Sequence, residues 1–178
     1  APSTSAMSYV NIASTGNSVN FGNLVAISNQ TTALSSSIRG IFAGSNPDSN
    51  VIEYITIASE GNGIDFGDLT VARRIPSGCS SSTRGIVAGG VSAGVASNVI
   101  DYISIATIGN ALDFGDLTIA RRTQNSGVSN GTRGVFLGGT APGGYQNVID
   151  FITISSTGNA VDFGDSLFAG GYRAGSSN

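Results

Sequence analysis

Histidine, lysine and tryptophan are absent from this 178-residue chain, cysteine and methionine occur once each, and only 11% of the residues are charged. Without histidine there is no Ser-His-Asp triad, no imidazole metal ligand and no histidine general base. The two glutamates, Glu53 and Glu60, and the missing lysines leave little from which an amphipathic helix is built. All eight basic residues are arginines spread along the chain, and the formal charge of -3 gives no long-range attraction to phosphate, so nucleic acid is not an expected partner. No apolar run approaches the roughly 20 residues of a membrane-spanning helix, and no membrane insertion is expected. The single Cys79 cannot form an internal disulfide and reads as a small packing residue. What is abundant is glycine, at 26 residues, together with serine, threonine and β-branched side chains. That composition predicts an all-β chain.

Internal repetition is the strongest signal. Tyr54-Ile-Thr-Ile-Ala-Ser-Glu-Gly-Asn-Gly-Ile-Asp-Phe-Gly-Asp-Leu matches Tyr102-Ile-Ser-Ile-Ala-Thr-Ile-Gly-Asn-Ala-Leu-Asp-Phe-Gly-Asp-Leu almost residue for residue. Further copies begin at Tyr9 and Phe151, so the aromatic anchors Tyr9, Tyr54, Tyr102 and Phe151 lie 45, 48 and 49 residues apart. Each is followed by a second aromatic, at Phe21, Phe66, Phe114 and Phe163. A second block, Arg-Gly-(Ile/Val)-x-x-Gly, starts at Arg39, Arg84 and Arg133, and in the last two copies it ends in a glycine pair, Gly89-Gly90 and Gly138-Gly139. The spacing divides one domain, 1–178, into repeats over 7–51, 52–99 and 100–148 and a partial repeat over 149–178.

Within a repeat, Ile52 to Ala58 predicts a strand, Gly61-Asn-Gly a turn and Ile64 to Val71 the returning strand. The Ser/Gly-rich stretch from Ser77 to Thr83 predicts an outer strand or loop, and Arg84 to Ala88 another strand, ended by a tight glycine turn. Ile55, Ile57, Ile103 and Ile105 place apolar side chains on one face, which suits sheets stacked between sheets. The Arg-Gly strand follows its aromatic anchor by 30 or 31 residues, so a fourth copy falls near position 181, and four hairpins stand against three Arg-Gly strands. An open strand edge of that kind is a liability, and a neighbouring chain that supplies the strand removes it.

A period near 50 with four strands per unit is the signature of a β-propeller, and the landmarks resemble kelch repeats: an Arg before a strand, Gly89-Gly90 at its end, then Tyr102, Phe114 and Arg122. Phe114 stands where kelch usually has Trp. The strings Ile-Asp-Tyr-Ile-Ser-Ile-Ala-Thr and Asp-Phe-Gly-Asp-Leu-Thr are also similar to repeats in virion and tail-associated proteins of aquatic phages. The resemblance implies a small propeller-like array with one strand missing or supplied by a neighbour. It also implies a structural subunit at a virion surface or outside the cell that associates with itself, and no enzyme.

Individual residues carry less. The carboxylate pairs Asp65/Asp68, Asp113/Asp116 and Asp162/Asp165 suit calcium by type, but Asn20/Asn23 replaces them in the first copy. The preferred reading is that one Asp caps a turn while the other pairs with a repeat arginine, so no cofactor is expected, calcium being the only alternative. Arg39, Arg84 and Arg133 read as planar donors that tie adjacent units together through the repeated Asp. The doublets Arg73-Arg74 and Arg121-Arg122 read as the more exposed arginines. Asn29 and Asn130 begin glycosylation sequons. Tyr145 and Tyr172, in Gly-rich loops, are the candidate stacking platforms of an alternative function, a carbohydrate-binding adhesion module.

Overall fold

The computed structural model describes residues 4–123, 125–171 and 175, apart from the side chains of residues 27 and 28, and among them there is no helix. The chain is all-β. β1 (Thr4–Tyr9) and β2 (Val19–Ser28) form an antiparallel hairpin that stands alone as a two-stranded sheet. β3 (Thr32–Ser35), β4 (Arg39–Ala43), β5 (Ser49–Thr56) and β6 (Ile64–Arg73) follow as a four-stranded antiparallel meander. A second meander consists of β7 (Ser77–Ser80), β8 (Arg84–Ala88), β11 (Val99–Ser104) and β12 (Leu112–Asp116), with the short hairpin β9 (Val91–Ser92) and β10 (Val95–Ala96) inserted between β8 and β11. The third is β13 (Gly127–Ser129), β14 (Arg133–Ala141), β15 (Gly144–Thr153) and β16 (Val161–Asp165).

The turns follow from glycine. Gly89 and Gly90 have φ of 64° and 108°, and Gly138 and Gly139 have 56° and 113°, a backbone region that side chains with a Cβ avoid. Gly89-Gly90 ends β8 as expected, whereas Gly138-Gly139 lies inside β14, where the register shifts between Leu137 and Gly139 and the strand bulges instead of turning.

The Ser/Gly-rich stretch departs from expectation. β7 is the edge strand of its sheet, but it packs between β3 and β13, at the middle of the array rather than its outside. Small residues are what this position demands. A Cβ on Gly127 would lie 2.6 Å from the Gly78 carbonyl oxygen, and one on Gly78 would lie 2.9 Å from Thr32 Oγ1. Serine hydroxyls stitch the three strands together: Ser80 Oγ donates to the Ser35 carbonyl at 2.7 Å, and Ser129 Oγ donates to the Ser80 carbonyl at 2.6 Å. The segment looks loop-like in sequence because its partners are other backbones.

Two apolar layers separate the four-stranded sheets. Leu34, Ile41, Tyr54 and Phe66 of the first sheet meet Val87, Ile103, Ile105 and Ala111 of the second. Cys79, Ile86 and Phe114 of the second meet Phe136, Ile152, Ile154 and Ala160 of the third. Cys79 sits against Gly134, where a Cβ would come within 2.6 Å of its Sγ, and burial pushes its thiol up to about 12. At pH 8 the thiol stays protonated and out of reach. Aromatic disulfide reagents are expected to label it only as fast as the protein opens, and rapid stoichiometric labelling of the native chain would contradict this packing.

Candidate functional site

The polar residues of the repeat converge on the joints between successive sheets. At each joint the Gly-Asn loop of one unit reaches back to the outermost strand of the unit before it. Gly61 N donates to Phe21 O at 2.9 Å and Gly63 N to Asn23 O at 2.7 Å, while Asn23 N donates to Asn62 Oδ1 at 3.0 Å. The next joint repeats the triplet with Gly109 N to Phe66 O at 2.9 Å, Ala111 N to Asp68 O at 2.8 Å and Asp68 N to Asn110 Oδ1 at 3.1 Å. The third uses Gly158 N to Phe114 O at 2.7 Å, Ala160 N to Asp116 O at 2.8 Å and Asp116 N to Asn159 Oδ1 at 3.0 Å. The Asn side chain thus serves an outward-facing strand amide, and the loop closes an edge that would otherwise be bare.

Deeper in the joint lies an acid one residue before the aromatic anchor. Asp101 accepts from the Thr70 hydroxyl at 2.5 Å and the Thr70 amide at 3.2 Å, and it pairs with Arg73 at 3.0 Å. Asp150 accepts from the Thr118 hydroxyl at 2.5 Å and its amide at 3.1 Å, and it pairs with Arg121 at 2.8 Å. In the first joint Glu53 reaches the Val25 amide at 2.6 Å. Both ion pairs are wholly buried. Burial pulls the Arg73 guanidinium below its ordinary value, and Asp101 opposes that shift.

These pairs correct the expectation for the doublets. Arg73 and Arg121 are among the most deeply buried side chains described, whereas Arg74 is half-buried against Asp48 and Arg122 is exposed. Consecutive strand residues point to opposite faces, so one arginine of each doublet enters the joint while the other leaves it.

Arg39, Arg84 and Arg133 are corrected too. None pairs with a carboxylate among the described residues. Arg39 and Arg84 lie 4.5 Å over the rings of Tyr54 and Tyr102, and Arg133 lies 5.0 Å over Phe151. Arg39 Nη1 donates to the Ile105 carbonyl at 2.7 Å and Arg84 Nη1 to the Ile154 carbonyl at 2.9 Å, each in the following sheet. The rings they cover make edge-on pairs with Phe66, Phe114 and Phe163, and Tyr9 pairs with Phe21 in the same way. Among the described residues no arginine covers Tyr9. Its hydroxyl donates to Glu60 at 2.8 Å, and that carboxylate raises the phenol above its usual range.

Among the described residues the Asp-Phe-Gly-Asp carboxylates do not form the expected arginine pairs. Asp65 and Asp162 accept from the amides of Gly67 and Gly164, as turn caps do. Among the described residues no three His, Cys, Asp or Glu side chains gather to hold a metal ion. Tyr145 stands 60% exposed at the tip of the β14–β15 hairpin, with Gly171 against its ring. Tyr172 lies outside the described residues. Asn29 is half-buried, while Asn130 is exposed and its side-chain oxygen accepts from the amides of Thr132 and Arg133.

With this geometry in view, comparison with known protein families and with curated proteins finds no match. The joint residues that sequence reasoning missed are the asparagines of the Gly-Asn loops and the acids Glu53, Asp101 and Asp150. Their signal was available, because Gly-Asn stands in all four copies and an acid precedes the aromatic anchor in three.

Proposed function

We propose that the chain is a non-enzymatic structural subunit, of a phage virion or an extracellular fibril, built from kelch-like repeats and joined to its neighbours through shared β-structure. The observation that carries this reading is the N-terminal hairpin. Each four-stranded sheet sets two inner strands beside its aromatic-anchor strand, but β1 pairs only with β2 among the described residues. Beside it lies a groove of about 530 Å³ lined by Met7, Tyr9, Val10, Phe21, Ile55 and Ile57. An unpaired edge next to an apolar groove suits an added strand, whose backbone fills the edge and whose side chains fill the groove.

The remaining chemistry supports the same reading. Arg39, Arg73, Arg84, Arg121, Asp101 and Asp150 are spent between sheets, at matching places in successive joints. The resemblance to virion repeats supplies the biological setting. A carbohydrate module has less behind it, since of its two candidate platforms only Tyr145 lies among the described residues.

The test is sedimentation velocity and negative-stain microscopy of the purified chain over a hundredfold range of concentration. Species larger than the monomer that dissociate on dilution are expected. A monomer throughout would overturn the assembly reading.

A further inference from the structure

The joint that recurs along the chain leaves one half-joint open at each end of the described array. At the tail, Phe163 is 56% exposed, although Phe66 and Phe114 in the matching positions are 1% and 3% exposed. A Cβ on Gly164 would meet nothing within 4 Å, while at Gly67 and Gly115 it would lie 2.6 Å from the carbonyl of the incoming Gly109 or Gly158. Arg133 sits over Phe151 as its counterparts sit over their rings, yet no carbonyl of a following sheet receives its guanidinium among the described residues.

At the head the complementary pieces are exposed. The loop at Gly16, Asn17 and Ser18 has the sequence place of Gly61-Asn62-Gly63 and Gly109-Asn110-Ala111, but it caps no strand among the described residues. Ile12 is 98% exposed, whereas Ile105 and Ile154 in the matching place are 2% and 1% exposed. Those isoleucines bury their side chains in the joint and offer their carbonyls to Arg39 and Arg84.

We infer that the head of one copy docks on the tail of a second copy and reproduces the internal joint. In this contact Gly16 N donates to Phe163 O of the second copy, and Ser18 N donates to its Asp165 O. Its Asp165 N donates to Asn17 Oδ1, and its Arg133 donates to the Ile12 carbonyl. The inference rests on the self-assembly reading above and names the surfaces that do it. The second copy is the occupant because each half matches, position by position, contacts the chain already makes with itself, the Gly-Asn loop triplet three times and the arginine-to-isoleucine carbonyl bond twice.

The docked joint differs from the internal ones in one respect. Ser8 stands where Asp101 and Asp150 stand, and Leu167 and Gly170 replace Thr118 and Arg121, so it carries no buried ion pair. Leu167 and Phe168 are exposed at that edge and supply apolar surface instead. Gly175 lies against Val128 on the inner part of the tail sheet, which leaves the outer part for the hairpin. The contact is heterologous, so it propagates from copy to copy.

The test uses two blocked chains. Asn17→Ala with Ser18→Pro removes the acceptor and one donor of the head, and Phe163→Asp puts a carboxylate where the tail is to be buried. In sedimentation velocity the wild type is expected to form species that lengthen with concentration, and each blocked chain to remain monomeric. An equimolar mixture of the two is expected to give a dimer and nothing larger, because one intact head meets one intact tail. If Phe163→Asp fails to give the wild-type circular dichroism spectrum, Arg133→Ala takes its place, with an expected tenfold or greater weakening of association. Wild-type assembly by either blocked chain, or a mixture without dimer, would overturn this contact and leave strand sharing standing. A wild-type chain that stays monomeric would overturn both.

Discussion

Asp101→Ala is expected to lower the unfolding free energy by about 3–5 kcal/mol, because it leaves the Arg73 guanidinium buried and uncompensated. Arg73 Nη2 keeps the Val87 carbonyl at 3.0 Å, but its Nε and Nη1 have no acceptor even with Asp101 in place. Asp150→Ala is expected to cost less. There Arg121 retains three carbonyls, of Gly138 at 2.7 Å, Ile119 at 3.3 Å and Phe136 at 3.3 Å. The two variants therefore remove the same ion pair from differently furnished sites. Urea denaturation that ranks Asp150→Ala as the more costly would contradict this account of the joints. Among the described residues Glu53→Ala removes an acceptor for the Val25 amide alone, and it is expected to fall below both, at about 1–2 kcal/mol.

Gly115→Ala is expected to be the second large loss, and Gly164→Ala calibrates it. The two glycines have φ of 141° and 132°, so both substitutions carry the strain of a glycine-only region, on the order of 1–3 kcal/mol. They differ in what the new methyl group meets. At Gly115 it would lie 2.6 Å from the Gly158 carbonyl and 2.8 Å from the Asn159 amide, which are backbone atoms held in the joint. At Gly164 it would meet open space. Gly115→Ala is thus expected to cost about 2 kcal/mol more than Gly164→Ala when both are measured on dilute protein. Equal losses would mean that the loop gives way freely and adds little to stability.

Much of the architecture was legible because repetition doubles every signal. The strand expected over Arg84 to Ala88 has those bounds in the structure, and the strand expected over Ile64 to Val71 runs on to Arg73. Less could be read where a residue's partner belongs to another sheet. Ser77 to Ser80 looked peripheral because serine and glycine carry no apolar pattern, and only the neighbouring backbones explain them. The doublets read as exposed because two consecutive arginines cannot share one face of a strand, and what draws Arg73 and Arg121 inward, an acid 28 or 29 residues away, lies in the next sheet. Gly61-Asn62 reads as a turn, but the chain turns at Ile57 and Ala58, and Gly61-Asn62 lies in the open stretch before β6. Its task, serving the Asn23 amide, depends on a strand that it does not join.

The direction of that reach fixes an order of events during synthesis. Each of the last three Gly-Asn loops caps a strand that left the ribosome about one repeat earlier, the asparagines lying 39, 42 and 43 residues beyond the amides they serve. A nascent chain therefore always carries a single unfinished unit, the newest one, with its phenylalanine bare until the following repeat emerges. Completion of the joints runs from the amino terminus forward, each new repeat covering the phenylalanine of the one before it.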